Sequence, residues 1–270
     1  MRSTSKIWPI VSIISLITSV LLFCGFVYAI RDIENPSSAF GISISPGPAS
    51  QEPAPTLPGQ LNVAVIGDSL AKGTGDDGGK GFAERATDLL QEQNKKSKVQ
   101  LLGNLGINGL TTSQLQAELR EVGVQYTLKQ ANVILLSIGG NDLFQGAEEM
   151  SNGGDLPSSA QLNQAITSAS DRFKICVQQI KAINPNATLV YIGLYNPFYD
   201  LPEMRLSGTT SVERWNSMAL NTLVQVGKAV MIPTYDLFEI NIVKYISSDH
   251  FHPNEEGYEQ IAQRIVQSLG

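Results

Sequence analysis

Val63-Ala-Val-Ile-Gly-Asp-Ser-Leu70 is a short apolar run that ends in glycine and a polar turn. Apolar and β-branched residues bounded by glycine are typical of a strand buried on both faces, which is predicted here over 61–66. Glycine allows the chain to leave such a strand sharply and to hold a side chain at its end. Ser69 is therefore a candidate nucleophile on a strand-to-helix turn. The same residues are also typical of an ordinary turn whose hydroxyl caps a helix.

From this strand onward, short apolar runs alternate with amphipathic stretches. The alternation predicts one α/β domain over 61–270, with a parallel sheet and helices on both of its faces. Further strands are predicted at 98–103, 132–138, 187–193 and 229–233. Helices are predicted at 82–94, 112–121, 159–183, 211–227 and 255–269. The spacing of a capping box occurs at Thr111 to Gln114, Ser158 to Gln161 and Thr210 to Glu213.

Residues at the carboxyl ends of the strands are candidates for a site, because α/β sheets bind their ligands at that edge. Gly106 follows the second strand. It could bring a bare backbone N–H close to a reacting oxygen, or it could merely shape the turn. Asn141 follows the third strand. Its amide could donate to a developing oxyanion, or it could cap a turn or helix.

Both histidines of the chain lie in one stretch near the carboxyl end, Asp249-His-Phe-His252. Asp249 and His252 are three residues apart, so one tight turn puts them on the same side. The carboxylate can then accept from one imidazole nitrogen and leave the other facing the serine. His250 adjoins Asp249 directly, but neighbouring residues point apart on a helical turn, so it is the weaker candidate base. A plain surface histidine pair is the alternative.

Four motifs in this order make the chain similar to the SGNH or GDSL family of serine esterases and lipases. The first motif is Gly-Asp-Ser-Leu at 67–70, and the resemblance covers essentially all of 61–270. It implies a flavodoxin-like three-layer sandwich on a five-stranded parallel sheet. The other matching positions are Asn104, Gly106 and Gly109, then Gly139, Asn141 and Asp142, then Asp249, His252 and Pro253.

The resemblance implies hydrolysis of carboxylic esters through a covalent acyl-enzyme. Ser69 would attack the acyl carbonyl, His252 would take its proton, and Asp249 would orient the imidazole. The backbone N–H groups of Ser69 and Gly106 and the side chain of Asn141 would hold the oxyanion. The resemblance implies no cofactor and no metal.

Two other classes of function are compatible with the same residues. A metallophosphoesterase would use as ligands Asp68, Asn141, Asp142, Asp249 and the histidines. Such sites usually draw their histidines from separate loops, whereas here both lie in one turn. The non-enzyme alternative is a surface binding module on an inactive hydrolase fold, and the presence of every key residue argues against it.

Aromatic residues follow the third and fourth strands at the edge where the site is expected. Phe144, Tyr195 and Phe198 are the candidate substrate-binding residues. They would either wall an acyl pocket or cover the sheet end as ordinary packing. An apolar wall would suit lipid esters such as lysophospholipids. Acetylated cell-surface sugars are the competing substrate, because the family that the chain resembles includes such deacetylases.

The amino-terminal segment contains 24 residues without a charge, from Ile7 to Ile30. This length crosses a bilayer core of about 30 Å, so residues 1–31 are predicted to form a transmembrane anchor. A cleaved signal peptide is the alternative, and it would give a secreted protein. Arg2 and Lys6 favour a cytoplasmic amino terminus, with the catalytic domain outside the cell membrane.

Residues 32–60 contain six of the thirteen prolines and predict a flexible linker. Beyond residue 31, the chain carries 16 basic and 25 acidic side chains. An acidic domain argues against nucleic acid as a partner. The expected partners are therefore an ester substrate and, through the amino-terminal helix, a membrane.

Overall fold

The computed structural model describes residues 7–34, 59–144 and 157–269. The chain divides into two units, Met1–Gln51 and Glu52–Gly270. The predicted linker at 32–60 lies mostly outside the described residues, so its flexibility stays a prediction.

The first unit contains helix α1, Ile7–Glu34, which is 28 residues long. Large apolar side chains between Val11 and Val27 are exposed on this helix. Within the described ranges, no helix is both long enough and apolar enough to cross a membrane. The structure therefore does not support the predicted transmembrane helix at 1–31.

The second unit is built on a parallel sheet of five strands. In chain order these are β1 (Gln60–Gly67), β2 (Lys98–Gly106), β3 (Val133–Ser137), β4 (Thr188–Ile192) and β5 (Ala229–Ile232). The order across the sheet is β2-β1-β3-β4-β5, and every neighbouring pair is parallel. This is the flavodoxin-like order. The predicted α/β class and five-stranded parallel sheet are confirmed.

The helices of the second unit lie on both faces of the sheet. They are α2 (Ser69–Lys72), α3 (Gly81–Gln93), α4 (Thr112–Glu118), α5 (Val122–Lys129), α6 (Gly140–Leu143), α7 (Ser159–Ile183), α8 (Pro202–Val226), α9 (Tyr235–Tyr245) and α10 (Glu255–Leu269). Successive strand residues point to opposite faces. Ile66 enters one core with Trp215 of α8, while Val65 enters the other with Phe82 of α3 and Tyr258 of α10.

Two of the three predicted capping boxes are confirmed. The hydroxyl of Thr111 accepts from the N–H of Gln114, and the N–H of Thr111 donates to the side chain of Gln114. Ser158 caps α7 in the same way. The third prediction is wrong, because Thr210 lies inside α8, which already begins at Pro202. Proline is well suited to the first helical position, since its φ is fixed near the helical value and its missing N–H is not needed there.

Helix α9 is a long element that the sequence pattern does not predict. Its Ile240 and Val243 are exposed, and Asn241 interrupts it with φ −130° and ψ 31°. Outward-facing apolar residues and a break in the helix remove the periodic signal of an amphipathic helix. The predicted helix at 112–121 also differs, because α4 ends at Glu118 and α5 follows it as a separate helix.

The end of β1 packs directly against the end of β3. Gly67 has a φ of +144°, and a Cβ at this position would collide with the carbonyl oxygen of Ser137. The N–H of Asp68 donates to the same oxygen at 3.0 Å. Only glycine permits this approach, and it fixes where Ser69 leaves the strand.

The carboxyl-terminal turn reaches the same edge of the sheet through contacts with the loop after α2. Ile246 and Pro253 form an antiparallel bridge that closes the turn. A Cβ at Gly75 would lie 2.6 Å from the carbonyl oxygen of Pro253, so this contact requires glycine. The hydroxyl of Tyr258 donates to the carbonyl of Thr74 at 2.7 Å. These contacts bring two distant parts of the chain together at the candidate site.

Candidate active site

Ser69 is the first residue of α2, at the point where β1 ends. It is only 6% exposed. Asp68 caps the helix, and its carboxylate accepts from the N–H of Leu70 at 3.1 Å. Among the described residues, no backbone acceptor is found for the N–H of Ser69, as is usual in a first helical turn. This N–H can therefore donate to a bound ligand.

His252 connects Ser69 with Asp249. Its Nε2 lies 2.7 Å from the Oγ of Ser69, and its Nδ1 lies 2.7 Å from the Oδ2 of Asp249. An ionised carboxylate can only accept, so Nδ1 carries the hydrogen and Nε2 is left to accept the proton of the serine hydroxyl. The structure brings together the three residues proposed from the sequence, and their catalytic roles stay a prediction.

Asp249 is the centre of the turn that carries His252. Its Oδ1 accepts from the hydroxyl of Ser247 at 2.7 Å and from the N–H groups of Phe251 at 2.9 Å and His252 at 2.8 Å. Burial alone would raise the pKa of Asp249, but the hydrogen bonds from His252, Ser247 and Phe251 hold that pKa well below its ordinary value. Asp249 is therefore a carboxylate throughout the neutral range.

Ser247 is a residue of this site that the sequence did not reveal. A serine two residues before an aspartate is common in turns, so it carries no signal of its own. His250, the rival base, is exposed and has a φ of +54°. Its side chain lines a different cleft from the one that contains Ser69. The structure therefore places His252, not His250, against the serine.

Of the two other predicted oxyanion donors, Asn141 lines the cleft and Gly106 does not. Asn141 lies on α6 and lines the same cleft as Ser69. Its amide donates to the carbonyl of Leu110 at 3.0 Å, which fixes the side chain and leaves a second hydrogen. The N–H of Gly106 instead donates to the Oδ1 of Asn104 at 3.0 Å. Gly106 does not line the cleft, and its role as a donor stays a prediction.

A cleft opens beside Ser69. Its polar end contains the side chains of Ser69, Asn141 and His252. Two of the predicted substrate-binding residues, Phe144 and Tyr195, belong to its apolar wall. The other apolar lining residues, which the sequence did not single out, are Leu70, Leu194, Pro197 and Phe251.

Phe198, the third predicted substrate-binding residue, does not line the cleft. It is buried behind the wall, where its ring centroid lies 5.4 Å from that of Phe144 and 6.2 Å from that of Phe251. The hydroxyl of Tyr195 donates to the carbonyl of Phe251 at 2.7 Å. Phe198 therefore supports the rings that line the cleft, and its direct contact with a substrate is not supported.

Asp68 is a second buried carboxyl group beside the nucleophile. It accepts from the hydroxyl of Ser137 at 2.8 Å and from the N–H of Leu70. Burial raises the pKa of Asp68 to about 6, and these hydrogen bonds offset only part of that effect. Asp68 therefore links β1, β3 and α2 at the cleft, which Asp68 and Ser137 both line.

Asp142 connects neighbouring helices through hydrogen bonds and an ion pair. It accepts from the N–H of Thr112 at 2.8 Å and from its hydroxyl at 2.7 Å, and it pairs with Arg172 at 3.2 Å. These bonds tie α6 to α4 and α7. Within the part of the chain that the structure describes, no three His, Cys, Asp or Glu side chains are grouped as metal ligands. The ligand set of the metallophosphoesterase alternative is not assembled there.

Comparisons with known sequences identify the family. Residues 65–260 match the GDSL-like lipase/acylhydrolase family. The chain is 31% identical over 212 residues to the uncharacterized protein YpmR of Bacillus subtilis, covering 77% of this chain and 80% of that protein. It is 28% identical over 214 residues to the spore germination lipase LipC of Bacillus licheniformis, covering 76% of this chain and 94% of the lipase. The chain belongs to the GDSL-like lipase/acylhydrolase family.

Solved structures share the same fold. The lipase Lip_vut3 from a goat rumen metagenome aligns with a TM-score of 0.66 at 25% identity, over 78% of this chain and 97% of that one. The acetylxylan esterase Axe2 of Geobacillus stearothermophilus aligns with a TM-score of 0.56 at 17% identity, over 78% of this chain and 94% of that one. The family is one of ester hydrolases, so the predicted enzyme class is confirmed.

Proposed function

We propose that this enzyme hydrolyses carboxylic esters through a triad of Ser69, His252 and Asp249. The observation that carries the proposal is the hydrogen-bonded line from Asp249 through His252 to Ser69, with both distances at 2.7 Å. His252 accepts the hydroxyl proton as the Oγ of Ser69 bonds to the acyl carbon, and it returns this proton to the departing alcohol oxygen. Water then releases the acid from the acyl-enzyme by the same proton transfers.

The oxyanion of each step is stabilised by the N–H of Ser69 and the second amide hydrogen of Asn141. Support comes from the position of both residues on the cleft and from the bond to Leu110 that holds the amide in place. Removing one preorganised donor of this kind reduces kcat by a factor on the order of 10²–10³. Gly106 adds a third donor only if the side chain of Asn104 releases its N–H.

The preferred substrates are esters with an apolar acyl group, as for a lipase. Support comes from the apolar wall formed by Phe144, Tyr195 and Phe251. Each CH₂ group buried against such a wall gains about 0.8 kcal/mol, whereas an acetyl group offers a single methyl. The named lipases LipC and Lip_vut3 are consistent with this choice. Acetylated carbohydrates are the alternative, because Axe2, an acetylxylan esterase, shares the fold.

The test is hydrolysis of nitrophenyl esters from acetate to palmitate by the wild type and by Ser69→Ala. The expected result is activity that rises from acetate toward medium-length chains and disappears in the variant. A preference for acetate would move the substrate proposal to acetylated carbohydrates. Full activity in a folded Ser69→Ala protein would refute the triad.

Attachment to the cell membrane through residues 7–30, with the catalytic unit outside the cell, is part of the proposal. Its support is the charge-free run of 24 residues. Among the described residues no helix meets the requirements for a membrane span, so the test must be direct. The full chain should sediment with membranes and dissolve in detergent, while a chain that starts at Gly59 should stay in the supernatant. A shortened protein found only in the medium would indicate a secreted enzyme instead.

A further inference from the structure

A second cleft lies beside the turn that carries His252. It shares Pro197 with the first cleft. Ser247 and His250 line the second cleft, whereas Phe251 and His252 of the same turn line the first. The turn therefore separates two clefts that meet at Pro197.

The lining of the second cleft combines apolar and polar groups. Its apolar residues are Pro197, Ile242, Val243 and Ile246, and its polar residues are Asp200, Ser247 and His250. Neutral polyols such as glycerol and sugars present the matching combination of C–H groups and hydroxyls. The carboxylate of Asp200 accepts hydrogen bonds from hydroxyls and repels anions, so an alcohol that carries a phosphate fits less well.

The chemistry of the first cleft decides where the alcohol part of an ester lies. His252 must return its proton to the alcohol oxygen, so the alcohol leaves on the His252 side of Ser69. The oxyanion lies at the N–H of Ser69 and at Asn141, and the acyl group lies against the apolar wall. An alcohol that extends past His252 and Pro197 therefore approaches the second cleft.

We propose that the second cleft binds the alcohol part of the ester and that this alcohol is a neutral polyol. The inference rests on the proposed ester hydrolysis and adds the leaving group to it. In this step, the bond between the Oγ of Ser69 and the acyl carbon forms, and the bond between that carbon and the alcohol oxygen breaks. The proton of Ser69 passes through His252 to the alcohol oxygen.

The conformation of His250 supports a binding role for its side chain. Its φ of +54° lies in the left-handed region, where residues other than glycine are uncommon. Its N–H donates to the carbonyl of Ser247 at 3.1 Å, which holds this conformation. An unusual backbone conformation that persists beside an active site points to a use for the side chain that it positions. Here His250 is one of the residues that line the second cleft.

The test compares ethyl butyrate with glycerol monobutyrate, two esters with the same acyl group, on the full chain. The wild type should have the higher kcat/KM for the glycerol ester. Val243→Trp fills the second cleft and should lower the ratio of the two kcat/KM values about tenfold, equivalent to the loss of one or two hydrogen bonds. His250→Gly removes the imidazole but tolerates the backbone conformation, and it should lower the ratio about fivefold.

Val122→Trp is the matched control, because Val122 and Val243 are 84% and 85% exposed and Val122 lies outside both clefts. It should leave the ratio unchanged. An unchanged ratio in both Val243→Trp and His250→Gly, or an equal fall in Val122→Trp, would overturn the polyol site and leave the triad intact. Hydrolysis of ethyl butyrate that survives in Ser69→Ala would instead overturn the proposed function, so the two failures are distinguishable.

Discussion

The turn that carries Ser69 and the turn that carries His252 hold their residues by different means. The first is buried, and it takes its position from the sheet, because the N–H of Asp68 donates to the carbonyl of Ser137 at the end of β3. The second is partly exposed, and it takes its geometry from hydrogen bonds to the carboxylate of Asp249. The end of the sheet therefore positions the nucleophile, whereas the carboxylate of Asp249, together with the bridge between Ile246 and Pro253, positions the base.

Each turn contains one aspartate, and their pKa values shift in opposite directions. Burial raises the pKa of Asp68 to about 6, because two hydrogen bonds do not offset the loss of water. Burial also acts on Asp249, but more donors outweigh it and lower its pKa. Closeness to the nucleophile does not decide in which direction the pKa of a carboxyl group shifts, since the balance of burial against donors does so. The comparison predicts that only Asp249 is needed as a charged partner of His252.

The largest expected effect comes from removing that charge. Asp249→Asn should reduce kcat about 10⁴-fold, because an amide holds the imidazole in the wrong tautomer. Asp68→Asn should reduce kcat less than tenfold, since its amide oxygen can still accept from Leu70. The measurement is kcat for nitrophenyl butyrate, with circular dichroism to verify folding. Similar losses in the two variants would show that the two turns do not differ in this way.

The second-largest effect should come from Asn141, an oxyanion donor that lies on neither of the two turns. Asn141→Ala should reduce kcat about 10²–10³-fold, because it removes one stabilising donor of the oxyanion. Asn94→Ala is the matched control, because Asn94 also donates its amide to a backbone carbonyl, that of Leu90, but lies outside the cleft. Steady-state kinetics should show normal kcat for the control. Near-normal turnover in a folded Asn141→Ala protein would remove Asn141 from the site.

The buried carboxyl group should affect stability more than rate. Since the pKa of Asp68 rises from 3.8 to about 6 on folding, the folded state binds the proton more tightly than the unfolded chain. Its contribution to stability is fully present below pH 4 and is lost as the pH rises to about 6, a change of about 3 kcal/mol. Urea unfolding of wild type and Asp68→Asn between pH 4 and 7 measures this change. A difference between the two proteins that is independent of pH would contradict the raised pKa of the buried carboxyl group.

The sequence predicted the parts of the site that depend on strand ends. Ser69 and Asn141 follow apolar runs, and parallel strands bring their carboxyl ends to one edge. The turn with Asp249 and His252 was found because it contains both histidines of the chain. In each case, the position follows from local pattern and from one general rule of sheet topology.

The other features were missed for separate reasons. The N–H of Gly106 meets the side chain of Asn104, a turn contact that competes with the donor role predicted for Gly106. Phe198 has the same aromatic character as Phe144, and only the packing places it behind the wall. The start of α8 at Pro202 was missed because proline and the preceding aromatic loop resemble an irregular segment.

Ser247 provides the finest test of how the second turn is held. Ser247→Ala removes one of the three donors to the Oδ1 of Asp249, and it should reduce kcat about five- to tenfold, equivalent to one typical hydrogen bond of about 1 kcal/mol. Ethyl butyrate is the substrate of choice, because its short alcohol does not reach the second cleft, so KM should change little. Ser247→Thr keeps the hydroxyl and should restore kcat. If Ser247→Thr were as slow as Ser247→Ala, the hydroxyl would not be what orients Asp249, and the two remaining backbone donors would be sufficient to hold the base.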